Sequence, residues 1–369
     1  MGMNGSDLSV PMGRMYISEE MREVTMDILQ SGSWIKGPES KKFGKEWAEY
    51  CGAVGGSPCS NGSVALIAAL RVLGVKHGDE VIVPSHTYIS SATCISIVGA
   101  KPVFVEIEEE YYTIDPKKVE EAITQKTKAI IAVHLYGQPV NPEIFEIGKK
   151  NNIPVIEDAA QGHGGKLNGK MIGSFGDIAT FSFFPSKNMA VGGDGGAITT
   201  TRMDLVEKIG KFIDHGRTSK YINESLGTNF RLSEIQCGIG RVQLRSLDSW
   251  VIRRNEIASK YHDSFESLPW AREPKIREGA LHAWHQYVLR VPDRDKFQEY
   301  MKENGISTGI HYPIPCHLQP VYLDGGFGSE ENLEKTERIC EEIVSIPVFP
   351  LLSDEEVEHV ISTIERFEG

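Results

Sequence analysis

A lysine in a short irregular loop is the first residue to weigh for chemistry. Phe181-Ser182-Phe183 reads as the end of a β run, Phe184-Pro185-Ser186-Lys187-Asn188 follows it, and then comes the cluster Gly192-Gly193-Asp194-Gly195-Gly196. A deprotonated lysine forms Schiff bases with carbonyl compounds, and a desolvated or cation-flanked setting lowers its pKa toward that state. Glycines let backbone approach a flat ligand closely. The competing reading is a surface lysine beside a flexible turn. Asp158 ends the apolar run Val155-Ile156-Glu157-Asp158, where a carboxylate can hold a proton on a heteroaromatic nitrogen, cap a helix or bind a metal. Ser60-Asn61-Gly62-Ser63 opens the helical run Val64 to Leu70, so its free N–H groups and the helix dipole could hold a phosphate, or it is an ordinary cap. No G-K-[ST] follows, so it is not a Walker loop. Tyr88, in Ser85-His86-Thr87-Tyr88, could stack on a flat ring or simply line a rim.

These features must be positioned by the elements between them. Val81-Ile82-Val83, Pro102 to Val105, Ala129 to Val133 and Pro154-Val155-Ile156 are compact β-branched runs that read as buried strands. Ser63 to Leu73, Pro116 to Ile123 and Pro142 to Asn151 read as helices between them. Alternation of this kind predicts an α/β fold, a mainly parallel central sheet with helices on both faces. Ligands then sit beyond the carboxyl ends of the strands. Near residue 242 the texture changes, and Val242 to Tyr261 reads as a long helix leading out of the core. The expected division is a large domain over 1–241 and a smaller α+β domain over 242–369, with Gln286 to Val291, Lys296 to Asn304 and Asp354 to Phe367 as its elements.

Composition narrows the function classes. The 369 residues carry 39 Lys and Arg against 51 Asp and Glu, a formal charge of -12, which disfavours nucleic acid as a partner. Six cysteines show no C-x-x-C pair, so neither a zinc site nor a disulfide framework is expected, and no metal is assigned. Met1 to Ser9 lacks the basic-then-apolar pattern of a signal peptide, and no run of about 18 apolar residues suggests a membrane span. The expected compartment is the cytoplasm.

Taken together, phosphate turn, aromatic, acidic strand end and lysine loop arrive in that order along one sheet. Here the chain resembles the DegT/DnrJ/EryC1/StrS sugar aminotransferases from about Val10 to Ile364, through SGSWIKGPES (31–40), SNGSVAL (60–66), GDEVIVPSHTYISSA (78–92), PVIEDAAQGHGG (154–165), FGDIATFSFFPSKNMAVGGDGGAITT (175–200), GTNFRLSEIQ (227–236) and HYPIPCHLQPVY (311–322). The resemblance implies the aspartate-aminotransferase fold (fold type I of enzymes using pyridoxal 5'-phosphate) and a homodimer with shared active sites. By position it implies Lys187 as the catalytic Schiff-base lysine, Asp158 on the pyridine nitrogen, Tyr88 stacked on the ring and Gln161 on the phenolic oxygen. Gly62, Ser63 and Ser182 would hold the phosphate, with Asn229 reaching across from the partner. Trp34, His163, His215, Tyr221, His311, Tyr312 and His317 are candidate substrate contacts. The implied reaction moves an amino group from L-glutamate, giving 2-oxoglutarate, to a nucleotide-linked keto-sugar, and the 311–320 loop looks most like members acting at C3. Action at C4, a cyclitol acceptor, a sugar dehydratase and a regulatory protein that keeps the cofactor stay open as alternatives, although dehydratase members carry His where Lys187 stands. Cys316, Gly238 and Gly240 depart from the family pattern.

Overall fold

The computed structural model describes residues 8–323 and 332–368. Residues 1–7 of the Met1 to Ser9 segment lie outside the described residues. In chain order the strands are β1 (Gly55–Cys59), β2 (Glu80–Pro84), β3 (Lys101–Val105), β4 (Thr127–Val133), β5 (Val155–Asp158) and β6 (Lys166–Leu167). They continue with β7 (Lys170–Met171), β8 (Ile178–Ser182), β9 (Gly196–Thr200), β10 (Ala280–Leu281), β11 (Tyr287–Arg290) and β12 (Ile343–Ile346).

Seven of these form the central sheet, in the order β1-β9-β8-β5-β4-β2-β3. The pairs β2–β3, β2–β4, β4–β5 and β5–β8 are parallel, while β9 runs antiparallel to both β8 and β1. Strands covered on both faces need continuous apolar sequence rather than alternation. β4 shows this, with Ala129 to Val133 all buried. One face packs Ala65, Leu66, Ala69 and Leu70 of the helix Gly62–Val72 against Val81, Val83, Ile131 and Ile178. The other packs Ile144 and Ile147 of the helix Glu143–Asn151 against Ile82, Ile130 and Val155.

The expected strands are present, each extended or trimmed by one to three residues. The helices at Gly62–Val72, Pro116–Ala122 and Glu143–Asn151 match the expected ones. The long helix differs. A turn at Arg245 and Ser246, where Ser246 N–H bonds back to the Gln243 carbonyl at 2.9 Å, separates the helix Glu234–Leu244 from the helix Leu247–Phe265. The change of texture at residue 242 therefore falls inside the first of these helices. A further apolar cluster joins Ile257, Tyr261 and Phe265 to Tyr287 and Leu289 of β11, Val344 and Ile346 of β12, and Val360 and Ile364. β11 and β12 pair antiparallel, with Tyr287 opposite Ile346.

Candidate active site

Parallel strands deliver their carboxyl ends to one edge of the sheet, and the chemistry-bearing loops leave from there. The ends of β2, β5 and β8 are followed by Ser85 to Tyr88, Ala159 to Gln161 and Phe183 to Asn188. All three contribute to a cavity of about 890 Å³. Gly62, Ser63, Tyr88, Asp158, Gln161, Ser182, Lys187, His311 and Tyr312 line it together.

Lys187 sits on a tight turn, its N–H bonded to the Phe184 carbonyl at 2.8 Å. Burial lowers its ammonium to about 8, against an opposing pull from the Asp158 carboxylate. Asp158 is itself buried. Its Oδ2 accepts from Ser91 Oγ at 2.7 Å and its Oδ1 from the Ala160 N–H at 3.2 Å. Ser91 Oγ lies 2.9 Å from Thr87 Oγ1, so a chain of hydroxyls fixes the carboxylate. Burial pushes the Asp158 carboxyl up despite these bonds and the positive Lys187, so a cationic ring nitrogen against it would relieve that cost.

Asn61 caps the helix Gly62–Val72, its side chain accepting from the Val64 N–H at 3.0 Å. The start of that helix packs close to Ser182. A Cβ on Gly62 would stand 2.9 Å from Ser182 Cβ, so this close approach requires glycine. Glycine at a helix N-terminus beside two serine hydroxyls is a cradle suited to phosphate. Gln161 is oriented from both ends: Oε1 accepts from the Tyr136 N–H at 2.6 Å and Nε2 donates to Tyr312 OH at 3.1 Å. The Tyr88 ring is half exposed and sits 5.6 Å from the Tyr312 ring. His311 holds Ser345 Oγ at 2.8 Å through Nδ1, and burial lowers its imidazole to about 4. These residues fit a phosphorylated, flat, cationic ring with an aldehyde near Lys187.

The remaining candidates lie elsewhere. His163 is fully buried against Trp47, Phe181 and Phe183, and neither ring nitrogen has a hydrogen-bond partner among the described residues. His317 is also buried. Its Nδ1 meets Ser85 Oγ at 2.6 Å and its Nε2 meets Glu337 at 3.1 Å, which ties the proline-rich loop to the end of β2. Neither is among the residues that line the cavity: His163 lies in aromatic packing and His317 in hydrogen bonds. Trp34, His215, Tyr221 and Asn229 are exposed and outside this cavity.

Among the lining residues that escaped the sequence reading are Ser91, His285 and Arg254. His285 Nδ1 lies 3.1 Å from Asn188 Oδ1, and Asn188 Nδ2 donates to the Ala283 carbonyl at 2.7 Å, which leaves His285 Nδ1 as the protonated nitrogen. No spacing in the sequence marks it. Arg254 did leave a signal, because it interrupts the buried stripe Trp250, Val251, Ile257, Ala258 and Tyr261 with a charge.

The description DegT/DnrJ/EryC1/StrS aminotransferase family matches residues 15–365. The Pleiotropic regulatory protein of Geobacillus stearothermophilus is 42% identical over 354 residues, 95% of each chain. The dTDP-3-amino-3,6-dideoxy-alpha-D-galactopyranose transaminase of Aneurinibacillus thermoaerophilus is 44% identical over 354 residues, 96% of each chain. Among solved structures, S. venezuelae DesV in complex with a ketimine intermediate superposes with a TM-score of 0.91 at 38% identity, covering 94% of this chain and 93% of that one.

Proposed function

The chain belongs to the DegT/DnrJ/EryC1/StrS aminotransferase family, and on that premise we propose that it moves the amino group of L-glutamate onto the C3 keto group of a nucleotide-linked keto-sugar, releasing 2-oxoglutarate. The cofactor is pyridoxal 5'-phosphate, which when bound supplies an aldehyde for linkage to amines and a protonated ring that accepts the electron pair released at the amine-bearing carbon. Asp158 would hold the proton on the ring nitrogen. Gly62, Ser63 and Ser182 would hold the phosphate, Tyr88 would cover the ring face and Gln161 would bond the phenolic oxygen. Lys187 Nζ would hold the aldehyde and, as a free amine, would take the proton from the donor's α-carbon. In the second half it returns a proton to the sugar carbon that bore the keto oxygen. His311 and Tyr312 would orient the sugar from the cavity wall.

The observation that carries this reading is the buried Lys187 amine sharing one cavity with the Asp158 carboxylate and the Gly62 helix start. C3 is favoured by the 44%-identical transaminase, whose name specifies a 3-amino sugar. Holoenzyme supplied with L-glutamate and a nucleotide-linked 3-keto sugar should yield the 3-amino sugar, identified by mass spectrometry and NMR. Offered in parallel a nucleotide-linked 4-keto sugar and a keto-cyclitol, the enzyme should leave both unaminated; preference for either of them, or a deoxygenated product from the sugar, would replace this reading.

The same proposal includes a homodimer. Tyr221, Ile222 and Leu226, the first and last at 82% and 92% exposure, form an exposed apolar run that leads to Asn229 in the chain, and Trp34 is exposed as well. In this reading Asn229 of the partner subunit reaches each phosphate, and Trp34, His215 and Tyr221 serve the neighbouring copy's sugar. Leu226→Asp should shift the sedimentation coefficient toward the monomer; an unchanged dimer would remove this part. All six cysteines are buried free thiols, as a reducing compartment keeps them, and a cytoplasmic location belongs to the proposal. No helix among the described residues is long and apolar enough to cross a membrane.

A further inference from the structure

Arg254 lies on the buried face of the helix Leu247–Phe265 and is only 5% exposed, yet it lines the cavity that holds Lys187. A guanidinium has five N–H donors. Nη1 donates to the Trp284 carbonyl at 2.7 Å and to the Val348 carbonyl at 2.5 Å. Nε is buried without a hydrogen-bond partner, and Nη2 makes no hydrogen bond among the described residues. No carboxylate pairs with it among the described residues either. Arginine meets a carboxylate side-on through Nε and Nη2, two parallel donors that match the two oxygens. That edge is the one without hydrogen-bond partners among the described residues. A buried cation without a counter-ion is costly, and an anion arriving from the cavity removes the cost.

Resting on the aminotransferase reading above, we propose that the Nε–Nη2 edge of Arg254 binds the α-carboxylate of the amino donor. The cofactor's phosphate is served by the opposite structure, the start of the helix Gly62–Val72. The anions left in the reaction are the donor's carboxylates and the nucleotide's diphosphate. A donor must set its amine at Lys187 with its carboxylate two bonds away. Arg254, Lys187 and His285 line the same cavity, so the guanidinium and the amine share one wall-bounded space.

The test separates the two half-reactions. L-glutamate alone bleaches the holoenzyme's lysine-linked colour, and 2-oxoglutarate binding to the same form is measured by calorimetry. Arg254→Gln should raise the glutamate KM and the 2-oxoglutarate Kd by roughly 10- to 100-fold, the range for hydrogen bonds to a charged group. The sugar KM should stay within about twofold. Arg254→Lys keeps the charge without the fork and should fall between. A folded variant with an unchanged glutamate KM, or one that loses only sugar affinity, overturns the inference. If neither variant folds, a wild-type crystal with 2-oxoglutarate decides it, by a carboxylate on Nε and Nη2 or one seated elsewhere. Wild-type holoenzyme that binds 2-oxoglutarate on Arg254 but never aminates a sugar would sink the sugar reading and leave this one standing.

Discussion

Replacing Asp158 with Asn tests how the protein keeps its lysine reactive. Burial brings Lys187 to about 8, while the Asp158 carboxylate opposes that drop. At pH 7.5 an amine with a pKa near 8 is about one-quarter neutral, whereas an ordinary lysine near 10.4 is neutral in about one molecule in a thousand. The free-base fraction is thus roughly 200-fold larger, and so should be the rate at which cofactor-free enzyme takes up the aldehyde at that pH. The sign follows from the chemistry. Only the neutral amine attacks, so the rate rises with pH and levels off above the midpoint. Stopped-flow absorbance of colour development between pH 6.5 and 10 should give a midpoint near 8 in the wild type. Asp158→Asn removes the opposing carboxylate, so its midpoint should move below 8, provided circular dichroism shows a native fold. A wild-type midpoint near 10, or a shift upward in Asp158→Asn, would refute the reasoning.

Two further outcomes follow from the same geometry. Gly62→Ala puts a Cβ 2.9 Å from Ser182 Cβ, so the helix start must back away and the phosphate cradle opens; cofactor Kd by fluorescence quenching should rise roughly 10-fold or more with little change in melting temperature. Burial lowers His86, His163 and His282 to about 3, far below an exposed histidine at about 6.5. The unfolded chain binds these protons first as pH falls through 6.5, so stability present at neutral pH should drop by roughly 3 kcal/mol between pH 6.5 and 5.5, read by urea unfolding at each pH.

Much of this molecule was legible in its residues because buried parallel strands leave an unambiguous trace. β2, β3, β4 and β5 are short β-branched runs with polar or glycine punctuation, and their loops carry Tyr88, Asp158 and, one strand on, Lys187. Local sequence also marked Gly62 as the start of a helix, but an ordinary cap reads the same way, and only its place beside the other features and the family resemblance pointed to phosphate. What stayed hidden depends on contacts made across long separations. The break at Arg245 and Ser246 has no glycine or proline to announce it. His163 and His317 look like site residues by type, and only the fold shows that one ring packs against Trp47 and the other bonds to Ser85 and Glu337. His285 and Asn188 are 97 positions apart and acquire meaning only as a pair.

The account rests on Lys187 as the residue that carries the cofactor. Borohydride reduction of the coloured holoenzyme, followed by peptide mass mapping, should find the reduced cofactor's mass on Lys187 alone, and Lys187→Ala should give an unlabelled, inactive protein. Label on a different lysine, or a Lys187→Ala enzyme that still transaminates, would contradict it.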